Sequence, residues 1–201
     1  MTYYPREITQ NPMAIFNMTK KISTVHCGNG LAAIRDIPAE SILIRVPNPY
    51  ILLPDRSSLS RICSWCFHPV SSSDLLPNTK CITALKKCSA CKVSQYCSTA
   101  CQRADWKAIH AKECGRLANL PSVPPTPVRA AMRVLLGQGH GLTWDPLWAE
   151  LKGHEEEMKT QSEENHRGNW GDILLQARAV MTFSGFAGPA YMELATAILC
   201  R

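Results

Sequence analysis

The sequence predicts an α+β protein with three parts: a region of short β-strands, a cysteine-rich module and a helical region. Short apolar runs punctuated by glycine and proline fill residues 22–53. Eight of the ten cysteines lie between residues 63 and 114, and helical apolar spacing begins near residue 128. We expect the domain boundaries 1–60, 61–116, 117–127 and 128–201, the third segment being a proline-rich linker.

The strand prediction depends on four short apolar runs before the cysteine-rich module. Each is short, several are rich in β-branched residues, and turn signals separate them. They are Ile22–Val25, Leu31–Ile34, Ile42–Val46 and Tyr50–Leu53.

The helical region follows the prolines of residues 121–127, through which neither helix nor sheet should continue. We predict helices over residues 128–136, 145–160, 172–181 and 190–199. Asp172 is the expected N-cap of the third.

Composition limits the class of protein. The 201 residues are 45% hydrophobic and 19% charged, which is typical of a globular chain. No apolar run approaches the roughly 18–20 residues that span a bilayer, and the first 16 residues lack a secretory pattern. We therefore expect no membrane association and a reducing compartment, the nucleus, the cytoplasm or both. In such a compartment the cysteines are metal ligands or free thiols.

The formal charge of +6 suggests nucleic-acid binding, but metal binding would weaken that interpretation. Seven ligating thiolates and two zinc ions would lower the charge to about +3. The basic residues are also spread along the chain, whereas nucleic-acid binding needs a clustered basic face. We expect nucleic acid not to be a partner.

Four closely spaced pairs of cysteine and histidine predict two zinc ions. Zinc requires four soft or borderline donors in a tetrahedron, and each pair supplies two of them from one turn or helix face. The predicted ligands are Cys63, Cys66, Cys88, Cys91, Cys97, Cys101, His110 and Cys114.

Spacing alone leaves the pairing open. Cys63 and Cys66 could share an ion with 88/91 in a sequential arrangement or with 97/101 in an interleaved one. In one continuous helix, His110 would lie about 180° around from Cys101. That disfavours a site shared by the last four ligands.

The stretch from Cys88 to Cys114 resembles the MYND zinc finger. With Cys63 and Cys66 before it, all eight ligand positions match, as do Tyr96, Gln102 and Trp106. The resemblance implies interleaved sites: Cys63, Cys66, Cys97 and Cys101 on one zinc, and Cys88, Cys91, His110 and Cys114 on the other. It also implies protein interaction, with Gln102 and Trp106 near a groove that receives proline-rich peptides in some relatives.

Residues 28–43 resemble the opening of a SET domain, departing from its pattern at Glu40 and Ser41. The order of segments is similar to the SET and MYND family, in which the finger is inserted into a split methyltransferase domain. The resemblance implies that a glycine loop of Gly28, Asn29 and Gly30 approaches S-adenosylmethionine.

The catalytic half of such a domain carries an Asn-His-Ser/Cys segment and a later tyrosine. Asn165-His166 is followed by Arg167 in a polar stretch, and Tyr191 falls in a predicted helix, so we assign no catalytic residue. We expect the sequence to be an N-terminal piece or a shortened product, without measurable methyltransferase activity.

Two functions follow from these observations. The first is a zinc-binding interaction module on an incomplete SET scaffold, with a protein or proline-rich peptide as partner. The alternative is an S-adenosylmethionine-dependent protein-lysine (histone) methyltransferase of the SET and MYND family.

Overall fold

The computed structural model describes residues 18–25, 28–41, 51–70, 84–138, 153–165 and 170–200. The chain divides into two compact units, one of residues 1–50 with 144–152 and one of residues 51–143 with 153–201. Short antiparallel strand pairs and longer helices make up the described residues, so the predicted α+β class is confirmed. None of the helices described combines the length and apolar character that a bilayer crossing requires.

The first unit contains a β-hairpin. Strand β1 (Thr19–Thr24) pairs antiparallel with strand β2 (Gly28–Ala33), in a register that sets Thr24 opposite Gly28. The first two predicted strands are therefore present, and the third, Ile42–Val46, lies outside the described residues. Gly28, Asn29 and Gly30 were expected in a loop, but they belong to β2, because the chain already turns at Val25.

The fourth predicted strand is wrong for residues 51–53, which pair with no strand among the described residues, and Tyr50 lies outside them. The carbonyl of Leu52 instead accepts a hydrogen bond from Arg133 Nη1 at 3.2 Å. Pro54, which has no backbone N–H, follows. A 3₁₀ turn (Arg56–Ser58) comes next, capped by Asp55, whose side chain accepts from the Ser57 N–H.

The second unit continues with the finger. Strands β3 (Lys86–Lys87) and β4 (Gln95–Tyr96) form a short antiparallel pair. Helix α1 (Thr99–Asp105) runs through a π-helical turn (Trp106–His110) directly into α2 (Ala111–Ala118). Ser98 caps α1 by accepting the Cys101 N–H at 3.2 Å. One helical segment therefore carries three of the predicted ligands.

Four further helices follow in the described part of the unit: α3 (Thr126–Gln138), α4 (Glu155–Asn165), α5 (Trp170–Ser184) and α6 (Pro189–Leu199). Helix α3 begins before Pro127, because proline fits the first turn of a helix, so the irregular linker is shorter than predicted. Asp172 lies inside the first turn of α5 and is not its N-cap, which corrects that prediction. Helix α4 begins only at Glu155, and residues 145–152 lie outside the described residues.

Helix α3 is the centre of this unit. It packs against α2, α5 and α6, and its side chains form a buried apolar face of Val128, Ala131, Met132, Val134, Leu135 and Leu136. Helix α2 also meets the turn after α5, where the Arg116 side chain lies against Gly185. Gly185 has φ +70°, so a side chain there would be strained as well as crowded. The finger and the helices thus share one core.

Candidate metal centre

Eight donor atoms converge in two groups, each within a span of 4.8 Å. The grouping is interleaved along the chain, as the resemblance implied. We call them the first group, Cys63, Cys66, Cys97 and Cys101, and the second group, Cys88, Cys91, His110 and Cys114.

The first group joins a turn at residues 63–66 to the start of the long helical segment. Cys97 Sγ lies 3.6 Å from Cys66 Sγ and 3.5 Å from Cys101 Sγ. The Cys97 N–H donates to Cys63 Sγ at 3.5 Å, a contact that stabilises a thiolate. Cys63 is fully buried, whereas Cys66 and Cys97 are half-buried.

The second group joins a turn at residues 88–91 to the end of the helical segment. Cys88 Sγ lies 3.7 Å from Cys114 Sγ, and Cys91 Sγ lies 3.7 Å from His110 Nε2. All four residues are buried. His110 and Cys114 are four residues apart and so share one helix face.

The thiols in the second group cannot all ionise without a compensating cation. Burial opposes ionisation of Cys88, yet hydrogen bonds from His110 and the Cys91 backbone lower its pKa to about 6. Burial and the neighbouring Cys88 raise the pKa of Cys114 to about 12. Such closely coupled donors, three sulfurs and one imidazole nitrogen, match the ligand set of a closed structural zinc site. The donor chemistry therefore fits zinc.

Glu113 is a site residue that sequence reasoning missed. It is fully buried, and its Oε1 accepts from His110 Nδ1 at 3.0 Å, which leaves Nε2 as the ring nitrogen that faces the sulfurs. Burial opposes a charge on both residues. The hydrogen bonds to Cys91 and Glu113 nonetheless raise the pKa of His110 to about 10, and that of Glu113 falls far below its usual range. A carboxylate on the second nitrogen of a histidine ligand is the usual way to fix its tautomer.

Asp105, His110 and Glu113 also lie close enough to form a third cluster of donors. Arg133 Nη2 lies 3.3 Å from Asp105 Oδ2 and 2.6 Å from Glu113 Oε1. A guanidinium therefore already occupies the position of a cation, and the cluster is an ion-pair network.

Gln102 and Trp106, the predicted peptide contacts, lie one helical turn apart, Gln102 on α1 and Trp106 at the start of the π-helical turn. Gln102 is half-buried, and the Trp106 side chain is 48% exposed. The Trp106 ring approaches the His110 ring edge-on, at 5.8 Å between centroids. Of the remaining cysteines, Cys200 is buried and belongs to neither group, and Cys27 and Cys81 lie outside the described residues.

The predicted cofactor residues lie in the other unit, on strand β2. A Cβ atom on Gly30 would meet Thr24 Cγ2 at 3.5 Å and Ile22 Cγ1 at 3.6 Å, which are ordinary contacts. The hairpin itself therefore does not require glycine at this position.

Comparison with known proteins agrees with this geometry. Residues 63–114 match the family model of the MYND finger. The SET domain and MYND-type zinc finger protein 6 of Schizosaccharomyces pombe is 30% identical over 177 residues, which are 87% of this chain and 31% of that protein. The chain belongs to the SET and MYND family. Its finger is a zinc finger of the MYND type.

Two further relatives of the SET and MYND chain carry enzyme names. The histone-lysine N-methyltransferase ASHR1 of Arabidopsis thaliana is 37% identical over 94 residues, 46% of this chain and 16% of that protein. The human histone-lysine N-methyltransferase SMYD3 is 32% identical over 117 residues, 58% of this chain and 24% of that protein. The chain thus spans less than a third of the length of the relatives it matches.

Proposed function

We propose that this SET and MYND chain is an interaction module whose finger binds two zinc ions and presents a peptide-binding surface. The observation that carries the proposal is the pair of donor groups, each with four ligands. Four protein ligands leave no open position for a substrate, which is the signature of a structural zinc site. When bound, each zinc supplies folding free energy to the finger.

The zinc stoichiometry is directly testable. We expect native mass spectrometry of the purified 201-residue chain to give two zinc ions per polypeptide. A fully folded chain without metal would refute the proposal. Thiolate ligands must stay reduced, so we place the protein in the nucleus, the cytoplasm or both.

The peptide surface is centred on Trp106. An exposed indole offers a flat apolar face on which a proline ring can stack, and the Gln102 amide one turn away can bond a peptide carbonyl. Proline-rich segments dock on aromatic surfaces of this kind because their extended helix is preformed. The proposed partner is a protein that carries such a segment.

A peptide titration tests this surface. Binding of a fluorescent proline-rich peptide should weaken by at least about tenfold in Trp106→Ala and by less in Gln102→Ala. Leu175→Ala is the matched control, since Leu175 is an exposed apolar residue on α5. Zinc content is measured in each variant, because Trp106 also contacts the His110 ring. Unchanged affinity in Trp106→Ala would refute the peptide surface.

The second candidate function is S-adenosylmethionine-dependent methylation of protein lysine. It is supported by the names of the Arabidopsis and human relatives and by the SET-like residues 28–43. In this proposal Gly28, Asn29 and Gly30 let the backbone of β2 approach the cofactor closely.

Calorimetric titration with S-adenosylmethionine tests the cofactor residues. Gly30→Ala should keep the hairpin, given the ordinary contacts of an added Cβ, and should lose cofactor binding. The 201 residues contain no Asn-His-Ser/Cys segment, so we expect no methyl incorporation by this polypeptide alone. Robust incorporation from labelled cofactor would favour the enzyme function.

A further inference from the structure

Two arginines of α3 are buried beside the second group, although they lie outside the matched finger. Arg129 and Arg133 are four residues apart and therefore project from one face of α3. Their side chains are only 2% and 6% exposed. Buried guanidinium groups are rare unless they are paired, so their partners indicate what they do.

Both arginines converge on Glu113. Arg129 Nη2 donates to Glu113 Oε1 at 2.8 Å, and Arg133 Nη2 donates to the same oxygen at 2.6 Å. Arg133 Nε donates to the second oxygen, Oε2, at 3.1 Å. The carboxylate that holds His110 is thus itself held by two charged hydrogen-bond donors from another element.

The network reaches the rest of the finger as well. Arg129 Nη2 donates to Ser94 Oγ at 2.8 Å, just after the turn that carries Cys91. Arg133 contacts Asp105, which also accepts from Tyr96 Oη at 2.8 Å. Two carboxylates and two guanidinium groups make this buried network neutral, so removing any one member leaves an uncompensated charge.

We propose that Arg129 and Arg133 are positioning residues for the second zinc ion, so that metal bound there and the docking of α3 stabilise each other. This inference rests on the proposed zinc function. The path runs from the two guanidinium groups to Glu113, and from Glu113 to the His110 ring. Residues that orient a histidine ligand through its second nitrogen change metal affinity by about 10- to 100-fold when they are replaced.

Cobalt(II) titration of the full chain tests the inference, because a four-sulfur site and a site with three sulfurs and one nitrogen absorb differently. We expect Arg129→Met to weaken cobalt binding at the second group by about 10- to 100-fold and to leave the first group unchanged. Arg129→Lys, which keeps the charge but not the forked hydrogen bonds, should weaken the second group by a smaller factor. Arg103→Met, on the exposed side of α1, is the matched control.

A second measurement follows the coupling in the opposite direction. Removal of metal by a chelator should increase hydrogen exchange of the α3 amides over residues 128–136. The increase should follow loss of the second ion and not of the first, which Cys66→Ala removes selectively.

The outcomes separate cleanly. Unchanged cobalt affinity at the second group in Arg129→Met overturns the inference. Parallel weakening of both groups in Arg129→Met and Arg129→Lys also overturns it, because that result indicates a general effect on folding. If the wild-type chain binds no metal, the proposed zinc function fails and this inference with it, whereas two wild-type ions and an unaffected variant refute the inference alone.

Discussion

The two donor groups begin from the same local structure. In each, the residue after a Cys-x2-Cys pair is left-handed: φ is 61° at Phe67 and 60° at Lys92. The N–H of that residue donates back to the first cysteine of its pair, from Phe67 to the Cys63 carbonyl at 3.1 Å and from Lys92 to the Cys88 carbonyl at 3.0 Å. A non-glycine residue with positive φ is uncommon, so its occurrence after both Cys-x2-Cys pairs indicates that the two turns share one specific backbone conformation.

The surroundings of the two groups differ. Cys66 and Cys97 of the first group are half-buried, while the second group is wholly buried against Glu113 and the arginines of α3. We therefore expect the two groups, which share one turn geometry, to contribute differently to folding. The first group closes the finger on itself, and the second joins the finger to the helices that follow it.

The largest effect should come from replacing a ligand in the second group. Cys88→Ala removes a buried ligand, so we expect loss of that zinc, unfolding of the finger and release of α3. Cys66→Ala should lose one zinc but retain the buried network and a cooperative thermal transition. Circular dichroism melting and native mass spectrometry compare the two variants. Equal loss of structure in both would erase the distinction between the groups.

The next effect concerns the charge beside His110. Glu113→Gln leaves two buried guanidinium groups with one carboxylate, and we expect it to lower the free energy of unfolding by about 3–5 kcal/mol. Urea denaturation in excess zinc measures this loss. Glu156→Gln is the control, since the Glu156 side chain is 82% exposed in its pair with Lys159, and no measurable change is expected. Similar urea midpoints for the two variants would contradict the prediction.

A smaller loss is expected at Tyr96. Burial and the charge of Asp105 raise the pKa of Tyr96 far above its usual range, so its hydroxyl remains a donor in the folded protein. Tyr96→Phe removes the 2.8 Å hydrogen bond to Asp105 Oδ2 and should lower the free energy of unfolding by about 1.5–3 kcal/mol. An alkaline absorbance titration provides the check, because Tyr96 of the folded wild type should stay protonated above pH 10, about where ordinary tyrosines ionise.

The smallest effect should come from Asp55, which is exposed and lies outside both groups. Hydrogen bonds from the side chain and backbone of Ser57 and from Thr126 lower the pKa of Asp55 to about 2. A lowered pKa stabilises the fold above the ordinary value of 3.8, and this contribution is lost as the pH falls toward about 2. Asp55→Asn should thus lower the melting temperature least of the series, by an amount that is constant from about pH 5 to 8. A difference that varied across that range would contradict the assignment.

The sequence could predict the ligand pairs because zinc imposes short spacings that are visible in one dimension. Spacing alone could not show which ligand pairs share one zinc ion, because that depends on how the 63–66 turn folds back over the helical segment. The network was missed for a similar reason. Arg129 and Arg133 interrupt an apolar helical run, and Glu113 precedes a ligand, but only tertiary contact joins them.

Local signals also failed at three places, one because of a tertiary contact and two because a helix begins earlier than its signal suggested. The apolar run at 51–53 favours a strand, yet the Leu52 carbonyl bonds Arg133. Asp172 suits an N-cap, but α5 already begins at Trp170. Pro127 suggested the end of an irregular linker and instead occupies the first turn of α3.

Asp55 and Thr126 stand 71 positions apart in the chain, yet Thr126 Oγ1 donates to Asp55 Oδ2 at 2.9 Å. Thr126 Oγ1 in turn accepts the Arg56 N–H at 2.9 Å. The segments that enter and leave the finger are therefore joined to each other by hydrogen bonds. A module with adjacent ends can be grafted into a surface loop of a host protein without forcing that loop apart. A cassette cut at residues 55–126 would leave the buried Glu113 without Arg129 and Arg133, so the transplanted segment has to continue through α3.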